Sequence, residues 1–263
     1  MNNINYADKL KNISYVFKKR SITSIIGRSG SGKSLLSFIL MDVIHEYDGE
    51  VLVNGSSDYD IYDYLRKVGY VYQNPAKHFI CKNVKEEIAF GLRQYGYDND
   101  KIDKQVDDAL KLVNLDSNIL SKDVTFLCDS EKVKVAIASS LVMNPEVLVL
   151  DEVTLCLDNT SKKRLLNLLL KLKNKFNKTI ILISNDINFV YELGNDYLLL
   201  DDGVIVDSGK VNEIQITDKM FKEYGFEVPK VLSFSNDLLI RKNIRLNNVR
   251  SIYDIVKGVI DYD

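Results

Sequence analysis

The strongest chemical signal is the segment Gly27-Arg28-Ser29-Gly30-Ser31-Gly32-Lys33-Ser34, which fits the pattern G-x-x-x-x-G-K-[ST]. In this pattern glycines let backbone N–H groups curve around phosphate oxygens, the lysine reaches the β- and γ-phosphates, and the next hydroxyl binds Mg²⁺. An apolar strand-like run precedes the segment and an apolar helical run follows from Leu35 to Ile44, so a helix N-terminus adds positive charge. A chance glycine-rich turn is the alternative, but this context favours nucleotide binding.

An acidic pair follows a second apolar run. Val147–Leu150 has the character of a buried strand, and Asp151 and Glu152 come directly after it. An acidic residue at the end of a neighbouring strand completes Mg²⁺ coordination, and the adjacent Glu can orient and deprotonate an attacking water. A strand that ends in solvated acids is the alternative. Beside a phosphate loop, the pair favours Asp151 as a metal ligand and Glu152 as a catalytic base.

Strand-like and helical patterns alternate along the chain, which predicts an α/β fold with a parallel sheet covered by helices. Asn54-Gly55 and Asp202-Gly203 are tight-turn signals. Apolar residues at helical spacing fall within 106–113 and 165–176. The strand-like runs are Ser21–Ile26, Val51–Val53, Val68–Tyr72, Val147–Leu150, Thr179–Ser184, Tyr197–Leu200 and Val204–Val206.

Two regions depart from this alternation. Residues about 74–143 carry mainly helical patterns and are predicted to be a helical subdomain inserted into the α/β core. Residues 215–263 contain Pro229 and two amphipathic runs, which predicts a small C-terminal helical extension after a domain of residues 1–214. A generic helical cap is the alternative for this extension.

Composition limits the possible partners. The chain has 263 residues, 46% of them hydrophobic, and a formal net charge of −2. With a net charge this close to zero, we do not expect the chain to bind nucleic acid or anionic lipid through overall electrostatic attraction. No apolar run approaches the roughly 18–20 residues that span a bilayer, and the first residues lack the apolar core of a signal peptide. We therefore expect a cytosolic protein that reaches a membrane only through partners.

Together these motifs resemble an ATP-binding-cassette (ABC) ATPase over nearly the whole chain. Residues 48–55 are similar to the turn-and-strand segment of that family, and residues 68–73 to the strand that leads to its Q-loop. Residues 127–138 occupy the position of the LSGGQ signature and its helix, residues 155–158 that of the D-loop, and Asp186 follows the switch position. The resemblance implies that ATP and Mg²⁺ bind here and that Gln73 contacts Mg²⁺ and senses the transport partner. The residues expected to bind the cofactor are Tyr6, Gly27, Arg28, Ser29, Gly30, Ser31, Gly32, Lys33, Ser34, Leu35, Gln73 and Asp151, of which Ser34, Gln73 and Asp151 hold the metal.

The subfamily resemblance is to the ATPase subunits of energy-coupling-factor transporters, which import vitamins and transition-metal ions. It rests on Gln73-Asn74-Pro75, on residues 84–91 and on the tail at 224–229. It implies a second ABC ATPase subunit, a transmembrane coupling subunit and a substrate-binding membrane subunit as partners. It also implies a location on the cytoplasmic face of the membrane, and in that group the C-terminal extension helps two ATPase subunits to pair.

Three motifs depart from the family pattern. Leu127-Cys128-Asp129-Ser130-Glu131 stands in place of LSGGQ, so a carboxylate replaces a glycine beside the phosphate of the opposite subunit. Two unit charges about 4 Å apart repel by about 4 kcal/mol at an effective dielectric near 20, unless the side chain turns away. Asn185 replaces the switch histidine and cannot carry a proton. The D-loop is altered as well, with Val153 in place of the usual proline.

These departures leave two interpretations open. The chain is an ATPase subunit in which Glu152, Lys33 and Asn185 are catalytic, or it is a degenerate, catalytically weak nucleotide-binding subunit paired with an active ATPase. Because ABC subunits pair head to tail, the altered signature would affect only one of two sites, which predicts a heterodimer. A soluble ABC protein acting on ribosomes or DNA is disfavoured, since the chain lacks a second cassette and a long coiled-coil insert.

Other residues give weaker signals. Tyr6 lies 27 residues before Lys33, where the family has an aromatic residue that stacks on adenine, although a packed strand tyrosine is equally compatible. His45 and His78 have no partner at metal-ligand spacing, and we expect the three cysteines to serve in packing rather than as ligands.

Overall fold

A six-stranded sheet forms the centre of the computed structural model, which describes residues 1–215, 219–244, 246 and 249–260. The strands of the chain are β1 (Asn2–Tyr6), β2 (Leu10–Ile13), β3 (Ile22–Ile26), β4 (Asp48–Glu50), β5 (Val68–Val71), β6 (Val147–Asp151), β7 (Thr179–Ile183), β8 (Asp196–Asp201) and β9 (Val204–Lys210). The strand order of the central sheet is β5-β6-β7-β3-β8-β9; all neighbours are parallel except the last pair, which is antiparallel. The predicted parallel α/β arrangement is confirmed.

A smaller antiparallel sheet, in the order β2-β1-β4, packs beside the central one. The sequence patterns did not indicate β1 or β2. The expected strand at Val51–Val53 is wrong, because β4 covers Asp48–Glu50 and only Val53 forms an isolated bridge, with Ser56. The turn predicted between these two residues is confirmed, since Asn54 and Gly55 have φ angles of 56° and 87°.

Ten helices surround the sheets in the described part of the chain. The expected helix Leu35–Ile44 begins two residues earlier and ends at Leu40, because Asp42 turns into the left-handed region with a φ of 52°. The helices are α1 (Lys33–Leu40), α2 (Ile61–Arg66), α3 (Val84–Gln94), α4 (Asn99–Val113), α5 (Asp129–Leu141), α6 (Asn159–Phe176), α7 (Ile187–Leu193), α8 (Lys219–Lys222), α9 (Lys230–Lys242) and α10 (Ile252–Ile260).

Residues 74–143 contain α3, α4, α5 and short 3₁₀ turns, with no named strand. The Asn83 side chain caps α3 by accepting hydrogen bonds from two backbone N–H groups, and α4 ends at Asn114 in the left-handed conformation. Buried apolar side chains of the three helices join the larger hydrophobic cluster, which also lines one face of the central sheet. A second cluster fills the space between the other face, α1 and the smaller sheet. The two clusters hold the carboxyl ends of β3, β5 and β6 in fixed positions.

The last part of the chain forms α8, α9 and α10, of which Met220, Val231 and Ile255 are buried against the larger cluster. Both predicted amphipathic runs are helical here. Residues 216–218, 245, 247, 248 and 261–263 of the predicted extension lie outside the described residues. The division into residues 1–214 and 215–263 remains a proposal. Among the described residues, none of the helices combines the length and apolar character needed to cross a bilayer.

The expectation that the cysteines serve in packing is wrong for Cys128 and Cys156, which are exposed, while Cys81 is half-buried. Cys128 stands at the N-cap of α5, and Cys156 lies in the turn before α6.

Candidate functional site

The glycine-rich loop connects β3 to α1 at the carboxyl edge of the central sheet. A Cβ atom at Gly27 would lie 2.1 Å from the carbonyl oxygen of Leu200, so only glycine allows the loop to pass β8 this closely. Gly32 is the N-cap of α1, and no acidic side chain occupies the first turn of that helix. The first backbone N–H groups of α1 therefore face the loop, as an anion site at a helix N-terminus requires.

Lys33 lies at the bottom of this loop and is 6% exposed. Its ammonium donates hydrogen bonds to the carbonyl oxygens of Gly27 and Arg28, at 2.6 and 2.8 Å. Burial lowers the pKa of Lys33, while the charges of Glu152 and Asp151 oppose that effect. The ammonium is thus held beside the loop and close to both acids, where it can exchange carbonyl oxygens for phosphate oxygens.

Asp151 is the last residue of β6, and a single strand, β7, separates β6 from β3 in the sheet. Its Oδ2 atom accepts a hydrogen bond from the Tyr70 hydroxyl at 3.0 Å, and that hydroxyl also lies 3.1 Å from the Ser37 Oγ atom. Its Oδ1 atom is buried and has no hydrogen-bond partner in the described part of the chain. Burial raises the pKa of Asp151, against the hydrogen bond from Tyr70, the influence of the nearby Ser34 hydroxyl and the charge of Lys33.

Buried carboxylate oxygens normally have a partner, so the unpartnered Oδ1 atom of Asp151 is placed to bind a metal ion or a water molecule. Mg²⁺ typically takes one or two carboxylates and completes its shell with water and substrate phosphates. The described residues contain no group of three or more His, Cys, Asp or Glu side chains that could hold a metal alone. The donor set therefore fits Mg²⁺ bound together with a phosphate, and it does not fit a metal site made of protein ligands only.

Glu152 has a left-handed backbone, with a φ of 49°. This conformation costs on the order of 1 kcal/mol for a residue other than glycine, and such strain clusters at functional sites. The Glu152 backbone N–H donates to the Ile183 carbonyl at 2.9 Å, and its Oε2 atom accepts from the Asn185 backbone N–H at 3.2 Å. Burial raises the pKa of Glu152; the Asn185 N–H and Lys33 oppose this effect, whereas Asp151 and Asp186 reinforce it. A raised pKa improves a carboxylate as a proton acceptor.

Asn185 is exposed at the end of β7, and its backbone rather than its side chain makes the contact with Glu152. The next residue, Asp186, caps α7 through the Phe189 N–H at 3.1 Å and pairs with Lys162 at 2.5 Å. The side chain of Asn185 is free to reach a ligand, so its predicted role remains a proposal.

Two further residues that the sequence predicts for the site lie at the edge of the region around the phosphate loop. Gln73 is exposed two residues beyond β5, whose carboxyl end lies beside that of β6. Tyr6 ends β1 and is half-buried against the smaller hydrophobic cluster. Neither residue bonds to the phosphate loop, so their predicted contacts with metal and adenine remain untested.

The altered signature segment begins α5. Glu131 accepts a hydrogen bond from the Cys128 backbone N–H at 3.0 Å, which caps the helix. Asp129 occupies the first turn, exposed, and its carboxylate lies 3.8 Å from the Lys132 ammonium. A carboxylate is favourable at a helix N-terminus, because it offsets the positive end of the helix dipole.

Sequence patterns missed two contacts of the site. Tyr70 holds Asp151 across adjacent strands, and only its place three residues before Gln73 could have drawn attention to it. Arg28 donates hydrogen bonds to the carbonyl oxygens of Tyr224 and Glu223, at 2.9 and 3.0 Å, and so ties the phosphate loop to the segment after α8. No local pattern signals a pairing of such distant residues.

The fold and this loop define a phosphate-loop nucleotide-binding protein, and comparison with known proteins narrows the class. A family model described as ABC transporter matches residues 10–155. The energy-coupling factor transporter ATP-binding protein EcfA1 of Ligilactobacillus salivarius is 33% identical over 84% of this chain and 78% of its own length. Among solved structures, CbiO1 of Clostridium perfringens, part of the ABC transporter complex cbiONQ, has a TM-score of 0.76 and 27% identity over 91% of this chain and 93% of its own.

A dimeric, post-hydrolysis state of the ATP-binding cassette MJ0796, bound to ADP and Pi, has a TM-score of 0.70 and 26% identity over 78% of this chain and 92% of its own. The chain belongs to the ABC transporter family, as one of its ATP-binding proteins. The sequence-based expectations of this family and of a phosphate-loop α/β fold are confirmed.

Proposed function

We propose that this chain is the ATP-binding and ATP-hydrolysing subunit that powers substrate import through an energy-coupling-factor type transporter. The observation that carries the proposal is the grouping of Lys33, Asp151 and Glu152 at one sheet edge. The lysine is close enough for its charge to oppose the rise in pKa that burial causes in both carboxyls. The named relatives support the transport setting, because EcfA1 is an energy-coupling factor transporter protein.

The residues present fit a magnesium–ATP substrate. The glycine-rich loop and the N-terminus of α1 supply N–H groups for the phosphates, and Ser34 and the bare Oδ1 atom of Asp151 would hold the metal with Gln73. When bound, Mg²⁺ neutralises charge that develops on the phosphate oxygens during phosphoryl transfer. Lys33 adds a positive charge to the same oxygens and keeps its place through the loop carbonyls.

Glu152 is proposed to hold the attacking water and to accept its proton at a carboxylate oxygen as the water oxygen bonds to the γ-phosphorus. The bond from that phosphorus to the bridging oxygen breaks, and ADP leaves with the electron pair. The Asn185 N–H fixes the Oε2 atom of Glu152, which leaves the Oε1 atom to face the water. Asn185 itself is proposed to donate a hydrogen bond to the γ-phosphate.

The working form is proposed to be a head-to-tail pair with a second, more complete ABC ATPase subunit. Each ATP would lie between the phosphate loop of one subunit and the signature of the other. Asp129 would face the partner's ATP, so a homodimer would contain two impaired sites, whereas a heterodimer keeps one intact signature. A transmembrane coupling subunit and a substrate-binding membrane subunit would place the chain at the cytoplasmic face of the membrane.

A degenerate, weakly hydrolysing subunit is the second candidate. The observation in its favour is that Asp129 occupies the first turn of α5, where its negative charge opposes an incoming phosphate. Such a chain would bind ATP at its own loop and transmit closure while its partner performs most of the turnover.

Phosphate release by the complex of this chain with its partners tests both candidates. Glu152→Gln removes the base at constant size, and Glu146→Gln makes the same change at an exposed position just before β6. Loss of at least about 100-fold in turnover with Glu152→Gln alone, as general-base removal predicts, supports the first candidate. Unchanged turnover in both variants, with ATP still bound, supports the second. Recovery of a membrane protein and a second cassette on co-purification checks the proposed assembly.

A further inference from the structure

A cavity of about 310 Å³ lies between the end of α4, the first turns of α5 and the outer face of α6, away from the phosphate loop. This volume is at the lower end of the range of small-molecule sites. Ser130, which is part of the altered signature, and Leu157, which precedes α6, are among its lining residues, whereas none of the phosphate-loop residues is. We call it the α4–α6 cavity.

The charged residues that line the α4–α6 cavity are all basic: Lys111, Lys134, Arg164 and Lys171. Lys134 donates to the Asn114 carbonyl at 3.1 Å, and Lys111 pairs with Asp108 at 3.7 Å on the outer surface of α4. Arg164 has no hydrogen-bond or ion-pair partner among the residues that the structure describes. Asp158, an acid whose pKa Arg164 lowers, accepts a hydrogen bond from the Ser161 N–H at 2.7 Å.

Lys134 on α5 and Arg164 on α6 both line the cavity. Burial lowers the pKa of Lys134 and the charge of Arg164 lowers it further, whereas Cys128 and Glu131 oppose these effects. These two positive charges destabilise each other, and an anion bound between them would accept a charge-assisted hydrogen bond from each.

The floor of the cavity is aliphatic and is formed by Leu112, Val113, Val133, Leu157, Leu165 and Leu168. No aromatic side chain lines it, so it offers no surface on which a nucleobase could stack. The aliphatic part of a ligand would fit this floor, and its charged group would fit among the basic side chains.

We propose that the α4–α6 cavity binds a small organic anion, with a phosphate or carboxylate group between Lys134 and Arg164 and an aliphatic body against the leucine floor. This site is separate from the nucleotide site. Because it joins the helices of the 74–143 region to α6, an occupant holds the signature helix against the core.

Calorimetric titration of the full chain with hexyl phosphate tests the site, with ADP and Mg²⁺ present in excess to fill the phosphate loop. We expect hexyl phosphate to bind under these conditions, and hexanoate to bind too if a carboxylate suffices. Arg164→Gln or Lys134→Gln should weaken binding about tenfold, as loss of one charge-assisted hydrogen bond predicts. Lys175→Gln, which makes the same charge change at the exposed end of α6, should leave the affinity unchanged.

Several results would overturn the inference. Absence of binding, complete displacement by ADP, or equal affinity in the Arg164 and Lys175 variants would each show that the cavity is not the site. Equal binding of inorganic phosphate would refute the role of the floor, and equal binding of hexanol would refute the role of the cations. Arg164 is exposed, so its variant keeps the test valid even if Lys134→Gln fails to fold.

Discussion

Replacing Tyr70 by phenylalanine should impair metal-dependent nucleotide binding, although Tyr70 touches neither nucleotide nor metal in the proposed site. The change removes the hydroxyl that donates to the Asp151 Oδ2 atom at 3.0 Å and lies 3.1 Å from Ser37 Oγ. The ring remains, and with it the edge contact to Tyr72 at 4.7 Å and the contact to Phe38 at 6.1 Å between ring centroids. The variant therefore removes only the contacts of this hydroxyl with Asp151 and Ser37.

The magnitude follows from the burial of both groups. A hydrogen bond to a charged partner contributes about 1.5–3 kcal/mol, and Asp151 would lose one of the interactions that lower its pKa. The free energy of unfolding at neutral pH should fall by about 2 kcal/mol. A group that orients a metal ligand typically changes metal affinity by roughly 10–100-fold, so nucleotide affinity in the presence of Mg²⁺ should fall by about tenfold or more.

Titration with a fluorescent ATP analogue, with Mg²⁺ and then with EDTA, separates the two effects. Tyr70→Phe should weaken binding only with Mg²⁺, because the loop N–H groups and Lys33 still bind the phosphates. Tyr72→Phe is the matched control, since Tyr72 is exposed and no hydrogen bond of its hydroxyl is seen in the described structure. Equal weakening with Mg²⁺ and with EDTA, or no weakening at all, would refute the idea that Tyr70 positions Asp151 for the metal.

Three further outcomes are expected. Turnover should rise with pH through an apparent pKa above 4.5, because burial raises the pKa of Glu152 and only its deprotonated form accepts a proton; the pH–rate profile should lose this limb in Glu152→Gln. Asp129→Gly together with Asn185→His should raise phosphate release by the assembled pair, since the changes remove a negative charge and restore a proton carrier; an unchanged rate would contradict the account of the departures. Burial lowers the pKa of His78 from 6.5 to about 4, with its Nε2 atom 2.8 Å from Ser139 Oγ. The unfolded chain then binds the extra proton first, so stability present above pH 6.5 should be lost as the pH falls towards 4, and urea titrations should show a weaker pH dependence in His78→Asn.

The phosphate loop could be predicted because its information is local. Gly27–Gly32 connect β3 to α1, Lys33 and Ser34 begin α1, and the pattern itself encodes this backbone path. The parallel sheet was predictable for a related reason, since buried strands such as β6 and β7 consist of continuous apolar runs.

The smaller sheet could not be predicted in the same way. Asp48–Glu50 pair with β1 through backbone groups, and a Cβ atom at Gly49 would lie 2.3 Å from the Asn3 carbonyl oxygen. Glycine is required at position 49 because the backbone of Asn3 comes so close to it. The sequence patterns that predict strands depend on side chains and do not register such a contact. Val51, which did carry the expected signal, is instead buried in the smaller cluster.

Contacts between side chains on neighbouring strands could not be predicted from the sequence either. Tyr70 and Asp151 are 81 positions apart, and they meet only because β5 and β6 are neighbours. The left-handed backbone of Glu152 likewise depends on its hydrogen bond to β7. These contacts decide how the acids are oriented, although the motifs alone indicate which acids they are.

The link between Arg28 and the segment after α8 uses two backbone carbonyl oxygens as its acceptors. These two hydrogen bonds therefore do not depend on which side chains stand at positions 223 and 224. Substitutions there would leave the link intact, while an insertion or deletion that shifts the chain by one residue would move both acceptors away from the guanidinium. The length of the segment, more than its composition, is the property that selection can act on.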